Sequence, residues 1–227
     1  MLPSWDTDPS RFSGAEIVTL LVGRDKVKFL VHKDILCQES PYFEKAFKSG
    51  FKEATENSLT LLGEKSDIVN SLVDWLYSGT LDFSVPNDRQ TQPCYREPLY
   101  LYLVADTYDF PKLRDEIIEY FFGLRFHKQL PSYDCFTKLW RNTMENDRLR
   151  KLFVDVEIWS GDTVWFEDEE RKKWLSKNSE IAVDLLAAAL YRIKHPNENP
   201  LDAEDASKYY DTPTTRKQQS TGGANES

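Results

Sequence analysis

The chain has 227 residues, 40% of them hydrophobic and 13% aromatic, enough for one full domain and part of a second. Its 38 acidic and 29 basic residues leave a formal charge of -9 and a pI near 5.0, which disfavours nucleic acid and anionic membranes as partners because the average surface repels both. The longest apolar run, 185–191, is far below the ~18 residues of a bilayer span, and "MLPSWDTDPS" lacks the basic start and apolar stretch of a secretion signal. A soluble intracellular protein, cytoplasmic or nuclear or both, is the expectation.

Cys37, Cys94 and Cys135 are odd in number and far apart, so neither a disulfide framework nor a CxxC clip is indicated. His32, His127 and His195 are equally dispersed, with no HExxH or Cys/His cluster. No metal and no cofactor is expected.

Along the chain, "EIVTLLV" (16–22) and "VKFLV" (27–31) flank "GRDK" and read as a hairpin, with Val27, Phe29 and Val31 on one buried face. Two short helices follow, over 33–38 and from "SPYF", where Ser40 serves as N-cap and Pro41 opens the helix. Phe43, Ala46 and Phe47 share its inner face. A polar connection leads to "SLTLL" (58–62), a candidate third strand. Over 66–77, Ile68, Leu72 and Leu76 recur beside Val69, Val73 and Trp75, the pattern of a well-buried helix that "SGT" stops.

Residues 84–98 are poor in apolar side chains and rich in Pro, Asn and Gln, the composition of an exposed loop. Two helices, 99–108 and 112–122, are separated by Pro111, with Leu113, Ile117 and Phe121 inward on the second. Beyond Gly123 the pattern is helical but less regular: Leu149, Leu152, Phe153 and Val156 form one stripe, and Ile181, Leu185, Leu186, Ala189 and Leu190 another. Between them "EDEERKK" (167–173) reads as a solvated charged segment. Residues 196–227 are nearly devoid of large aliphatics and are expected to form a disordered polar tail.

The blocks "VTLLVG", "KFLVHKDILCQESPYFEKAF", "GFKEATENSLTL", "VNSLVDWLYSGTL" and "LYLVADTYDFPKLRDEIIEYF" arrive in an order that resembles a BTB (POZ) domain. The resemblance covers 13–123 and in spelling is nearest to the single-BTB proteins of filamentous fungi. It leaves an N-terminal arm (1–12), a small helical extension (124–195), in which "NDRLRKLFVDVEIW" is similar to the extension of those proteins, and the tail. The fold it implies is α/β of the α+β kind, short strands flanked by a helical cluster.

That resemblance also implies a function. BTB domains are non-catalytic interaction modules, so the expectation is that this chain is not an enzyme. It would form a homodimer, pair with other BTB proteins, or act as a substrate adaptor in a cullin-based ubiquitin ligase. A self-assembling scaffold or a transcription-related BTB protein without cullin binding is the rival. By the resemblance "VHK" closes the second strand and enters the first helix, making His32 and Lys33 structural and Cys37 a small core residue. Glu16 stands where the family usually has Asp, near the junction lysine at the dimer surface. Glu16 and Lys33 are therefore candidate dimer-surface charges, with a longer carboxylate arm than the family's. The stretch "FKE" matches the hydrophobic–any–Glu pattern of cullin-recruiting BTB adaptors, with Phe51 as the anchor in an apolar pocket and Glu53 fixing the loop. Within these residues there is no Kelch repeat, MATH domain or zinc finger to hold a substrate.

Three sharper chemistries compete with packing as readings of these residues. Cys37 with His32 would make a cysteine hydrolase, but nothing orients the imidazole and no oxyanion device is recognisable. Glu167, Asp168, Glu169 and Glu170 would bind a hard cation or act as acid and base, yet such runs are usually solvated. Trp159, Trp165 and Trp174 would line a ligand pocket, though Trp in a small helical extension is more often core.

Overall fold

The protein is described from a computed structural model, which covers residues 16–48, 52–83, 85, 94–127, 130–160 and 167–210. Strand β1 (Ile17–Val22) is β-branched-rich and central; β2 (Val27–His32) pairs with it antiparallel and β3 (Ser58–Leu61) parallel, giving the order β2-β1-β3. The 23–26 turn begins at Gly23, whose φ of 71° is the left-handed conformation that a Cβ disfavours. The sheet is one-sided. Val18, Leu20 and Val22 face the core with Val31, Leu59 and Leu61, while Thr19 and Leu30 face outward. The expected alternation in β2 holds for Phe29 and Val31 but not for Val27, which is 42% exposed, because β2 is an edge strand and Val27 sits beside the turn.

Helices α1 (Lys33–Glu39) and α2 (Pro41–Lys48) meet at the buried Ser40. The Ser40 backbone N–H donates to Leu36 O, closing α1, and its Oγ accepts from Phe43 N–H at 3.1 Å, opening α2. The same hydroxyl donates to Tyr108 O at 2.6 Å, fixing this corner to the end of a later helix. Phe43 and Phe47 are buried beneath it and stack 6.2 Å apart. The polar connection before β3 holds a short helix the sequence reading passes over, α3 (Lys52–Glu56).

Helix α4 (Ser66–Ser78) buries Ile68, Val69, Leu72, Trp75 and Leu76 and ends on Gly79, whose left-handed φ of 68° lets its N–H reach Trp75 O. Helix α5 (Arg96–Thr107) starts earlier than the composition suggests. Residues 96–98 belong to its first turn, where Pro98 is tolerated because that turn needs no intrahelical N–H; 84 and 86–93 lie outside the described residues. Pro111 opens α6 (Pro111–Gly123), which buries Leu113, Ile117 and Phe121.

The extension comprises α7 (Tyr133–Asn142), α8 (Arg148–Ser160), α9 (Glu169–Lys177) and α10 (Ser179–Lys194). Its core is continuous with that of the first six helices: Phe153 meets Phe121 edge-on at 5.2 Å and Phe136 at 5.4 Å, and Tyr102 OH donates to Asp147 Oδ2 at 2.9 Å. Two expectations are corrected here. In the charged 167–173 segment, Arg171 is buried and pairs with the buried Glu157 at 2.5 Å, so one of its cations is structural. In α10, Ile181 and Leu185 are buried but Leu186 and Leu190 are exposed, because α8 meets only one side of the helix.

A third correction concerns the tail. Residues 196–210 are ordered against the body, with 3-10 turns at Pro200–Asp202 and Ser207–Tyr209. Leu201, Ala206 and Tyr209 are buried; Tyr209 packs on Phe122 and donates to Asp155 Oδ2 at 2.7 Å, while Arg125 Nε donates to Leu201 O at 2.9 Å. Leu201, Ala206 and Tyr209 suffice to hold a segment that composition alone marks as unfolded. Residues 211–227 lie outside the described residues.

Candidate interaction surface

The β1–β2 register sets Ile17 opposite His32, so the first residue before β1 lies beside the first residue of α1. Lys33 N–H donates to Glu16 O at 2.8 Å, and Lys33 Nζ reaches Glu16 Oε2 at 2.9 Å. The other carboxylate oxygen accepts from Asn57 Nδ2 at 2.6 Å. Asn57 adopts a φ of 47°, a conformation Asn tolerates better than most residues, and its carbonyl accepts from Thr19 N–H. One carboxylate thus ties together the starts of β1 and α1 and the entry to β3. The Lys33 hydrogen bond, then the Asn57 one, holds the Glu16 carboxyl below the usual carboxylate range. The longer Glu arm spans both partners while half its surface stays exposed.

Around this corner the outward sheet face presents Ile17 and, in the centre of the edge strand, Leu30, 66% exposed. His32 completes the corner: its backbone N–H donates to Tyr77 OH at 3.1 Å, and Nδ1 lies 2.7 Å from the same hydroxyl. Cys37 is buried, its Sγ donating to Phe43 O at 3.7 Å. The imidazole and the thiol therefore engage different partners. Burial pushes the Cys37 thiol up, the opposite of what an attacking thiolate needs.

Of "FKE", Glu53 lies in the first turn of α3 and is half-buried. Phe51 lies outside the described residues. The acidic run is exposed: Asp168 caps α9, its side chain accepting from Glu170 N–H at 3.0 Å, and Glu169 makes a surface pair with Lys172 at 2.7 Å. Trp174 stacks on Tyr133 at 4.7 Å and donates to Thr137 Oγ1, and Trp159 carries the Arg192 guanidinium over its ring at 5.3 Å, so both are packing residues; Trp165 lies outside the described residues. Among the described residues there is no cluster of His, Cys, Asp and Glu able to hold a metal, and no helix long and apolar enough to cross a membrane.

Sequence reasoning missed the third partner at the corner. Asn57 had one available signal, an Asn immediately before a strand, the residue type that accepts a left-handed turn.

Comparison with known proteins matches the BTB/POZ domain family over residues 18–122. Kelch repeat and BTB domain-containing protein 8 of Danio rerio is 23% identical over 110 residues, 48% of this chain and 17% of that protein. Kelch-like ECH-associated protein 1A of Danio rerio is 34% identical over 67 residues, 29% of this chain and 11% of the relative; Kelch-like protein 38 of the same organism is 32% identical over 54 residues, 24% and 9%. The chain thus spans less than a fifth of the length of each of these relatives. The matched segment, the three-stranded sheet and the helices from α1 to α6 coincide, and residues 18–122 are a BTB/POZ domain.

Proposed function

We propose that this chain is a non-catalytic protein-interaction module that self-associates through its BTB domain and serves as a substrate adaptor for a cullin-based ubiquitin ligase. The BTB domain at 18–122 carries this reading, and similarity to Kelch-containing BTB proteins supports it. Dimerisation is assigned to the corner built by Glu16 and Lys33 and to Ile17 and Leu30, the exposed apolar residues on the outer face of β1 and β2. The cullin contact is assigned to Phe51, with Glu53 fixing the segment that enters α3. The chain would work inside the cell, as its nearness in pattern to fungal single-BTB proteins implies.

A second reading, a scaffold that assembles with itself or other BTB chains and ignores cullin, is favoured by the exposed Ile17 and Leu30, which serve self-association without any cullin. Light scattering coupled to size exclusion separates the two. The chain alone should run as a dimer, and the N-terminal region of the host's cullin should shift it to a larger complex that Phe51→Ala with Glu53→Ala abolishes. A dimer that never shifts selects the scaffold. A monomer rejects the dimer corner.

A further inference from the structure

Helix α10 presents a second apolar face that the described residues leave uncovered. Val183, Leu186, Leu190 and Ile193 are 63%, 60%, 51% and 75% exposed. At 100° per residue they fall within an arc of about 80°, opposite the side on which Ile181 and Leu185 are buried. Their spacing of three, four and three residues is that of a coiled-coil seam. Scattered exposed aliphatics are ordinary, but a seam of four along one helix is not.

We infer that this face pairs with the same face of a second copy, the two α10 helices running antiparallel. Self-complementarity singles out that occupant. About a centre near residue 188, Val183 of one copy lies opposite Ile193 of the other and Leu186 opposite Leu190, so every layer of the seam is filled. On the exposed flank stand Glu180, Ala187 and Lys194, one per heptad. Antiparallel pairing brings Glu180 of each copy against Lys194 of the other and sets Ala187 against its counterpart at the two-fold axis. In a parallel pair this flank would instead face the alanines Ala182 and Ala189 of the other copy, and the charges would gain no partner. Ala182 and Ala189 form the other flank and allow close approach of the backbones. Glu180 is prepared for the contact: Arg150 Nη1 donates to one carboxylate oxygen from below, and half the side chain remains exposed. The paired helix dipoles also oppose.

Residues 211–227 contain no Val, Ile, Leu, Met or aromatic residue and cannot cover an apolar seam. The seam amounts to about 400 Å² per copy, within the range of the largest apolar patches on monomers. Two copies bury about 800 Å² together, short of the ~1,200–2,000 Å² of a stable interface. Pairing through α10 is accordingly weak and concentration-dependent, and it stands independently of the sheet corner assigned to dimerisation.

Disulfide trapping in the full chain tests it. With the exposed Cys94 replaced by Ser, Ala187→Cys should give a covalent dimer under mild oxidation, at a rate at least tenfold above the same change at the exposed Lys177 of α9. Adding Leu186→Asp or Lys194→Glu should lower the yield several-fold, and circular dichroism should show both variants folded. Equal trapping at Ala187 and Lys177, no trapping at Ala187, or indifference to both added substitutions overturns the proposal. So does trapping that appears only when Trp5 and Phe12 are changed to Ala, since the N-terminal segment would then be the occupant.

Discussion

Replacing Ser40 by Ala removes one hydroxyl that performs two tasks at a fully buried position. Its Oγ caps α2 by accepting from Phe43 N–H and simultaneously donates to Tyr108 O, joining the α1–α2 corner to the end of α5. Loss of an N-cap costs about 0.5–2 kcal/mol, and a buried carbonyl left without its donor costs about 1–3 kcal/mol. The two are coupled through one atom, so their sum is an upper bound, and a loss of about 2–4 kcal/mol is expected. For a chain of this size that lowers Tm by about 5–15 °C. Urea denaturation followed by tryptophan fluorescence measures it directly, with the m-value unchanged if the native fold is kept. A loss under about 0.5 kcal/mol would refute the claim that this hydroxyl holds the corner, being the size of an ordinary surface change.

Three further outcomes are expected. Leu20→Asp places an unpaired carboxylate at the centre of the sheet core, where Leu20 is fully buried; loss of the Leu side chain alone costs about 2–5 kcal/mol before the charge is counted, so the chain should be unfolded or insoluble, and an unchanged melting temperature would contradict the strand register. In a carbon-detected NMR titration the Glu16 carboxyl should titrate below the usual carboxylate range, and Lys33→Met should move its midpoint up. Because its folded pKa is depressed, the small stability it contributes is present above the unfolded pKa and lost as pH falls through the folded one; a midpoint unmoved by Lys33→Met would deny the pairing. Tyr209→Ala should cost about 3–5 kcal/mol and make residues 195–210 sensitive to limited proteolysis; unchanged cleavage would mean the segment is not docked.

Periodicity made the two-sided structure of the BTB segment legible. Ser40 before Pro41, the four-residue recurrence of Ile68, Leu72 and Leu76, and Pro111 as a helix start are local signals whose partners lie nearby in sequence. What escaped depends on distant partners. Arg171 sits in a run of charges that reads as solvated, and only Glu157 across the bundle makes it a core residue. Tyr209 sits in a polar stretch and is buried because Phe122 and Asp155 lie where the chain returns. In α10 the stripe of apolar residues was visible, but apolarity cannot say which side meets α8 and which meets solvent. The corner at Glu16 was half legible: resemblance supplied the carboxylate and the lysine, while Asn57, 41 residues away, belongs to the tertiary structure.

The parallel pairing of β1 with β3 sets a timetable for synthesis. β1 can close its hairpin with β2 within microseconds of the turn becoming free, but Thr19 must wait for Ser58, about 40 residues later, to gain its other neighbour. At about 5–20 residues per second that interval lasts roughly 2–8 s. During it the central strand is an edge, with unpaired amides and carbonyls on the side that β3 will fill and no charged residue from Ile17 to Val22 to discourage a stranger. The nascent chain is therefore most open to wrong strand partners before residue 61 has emerged, and helices α1 to α3, which occupy that gap in the chain, are too short to hold without the core they pack on.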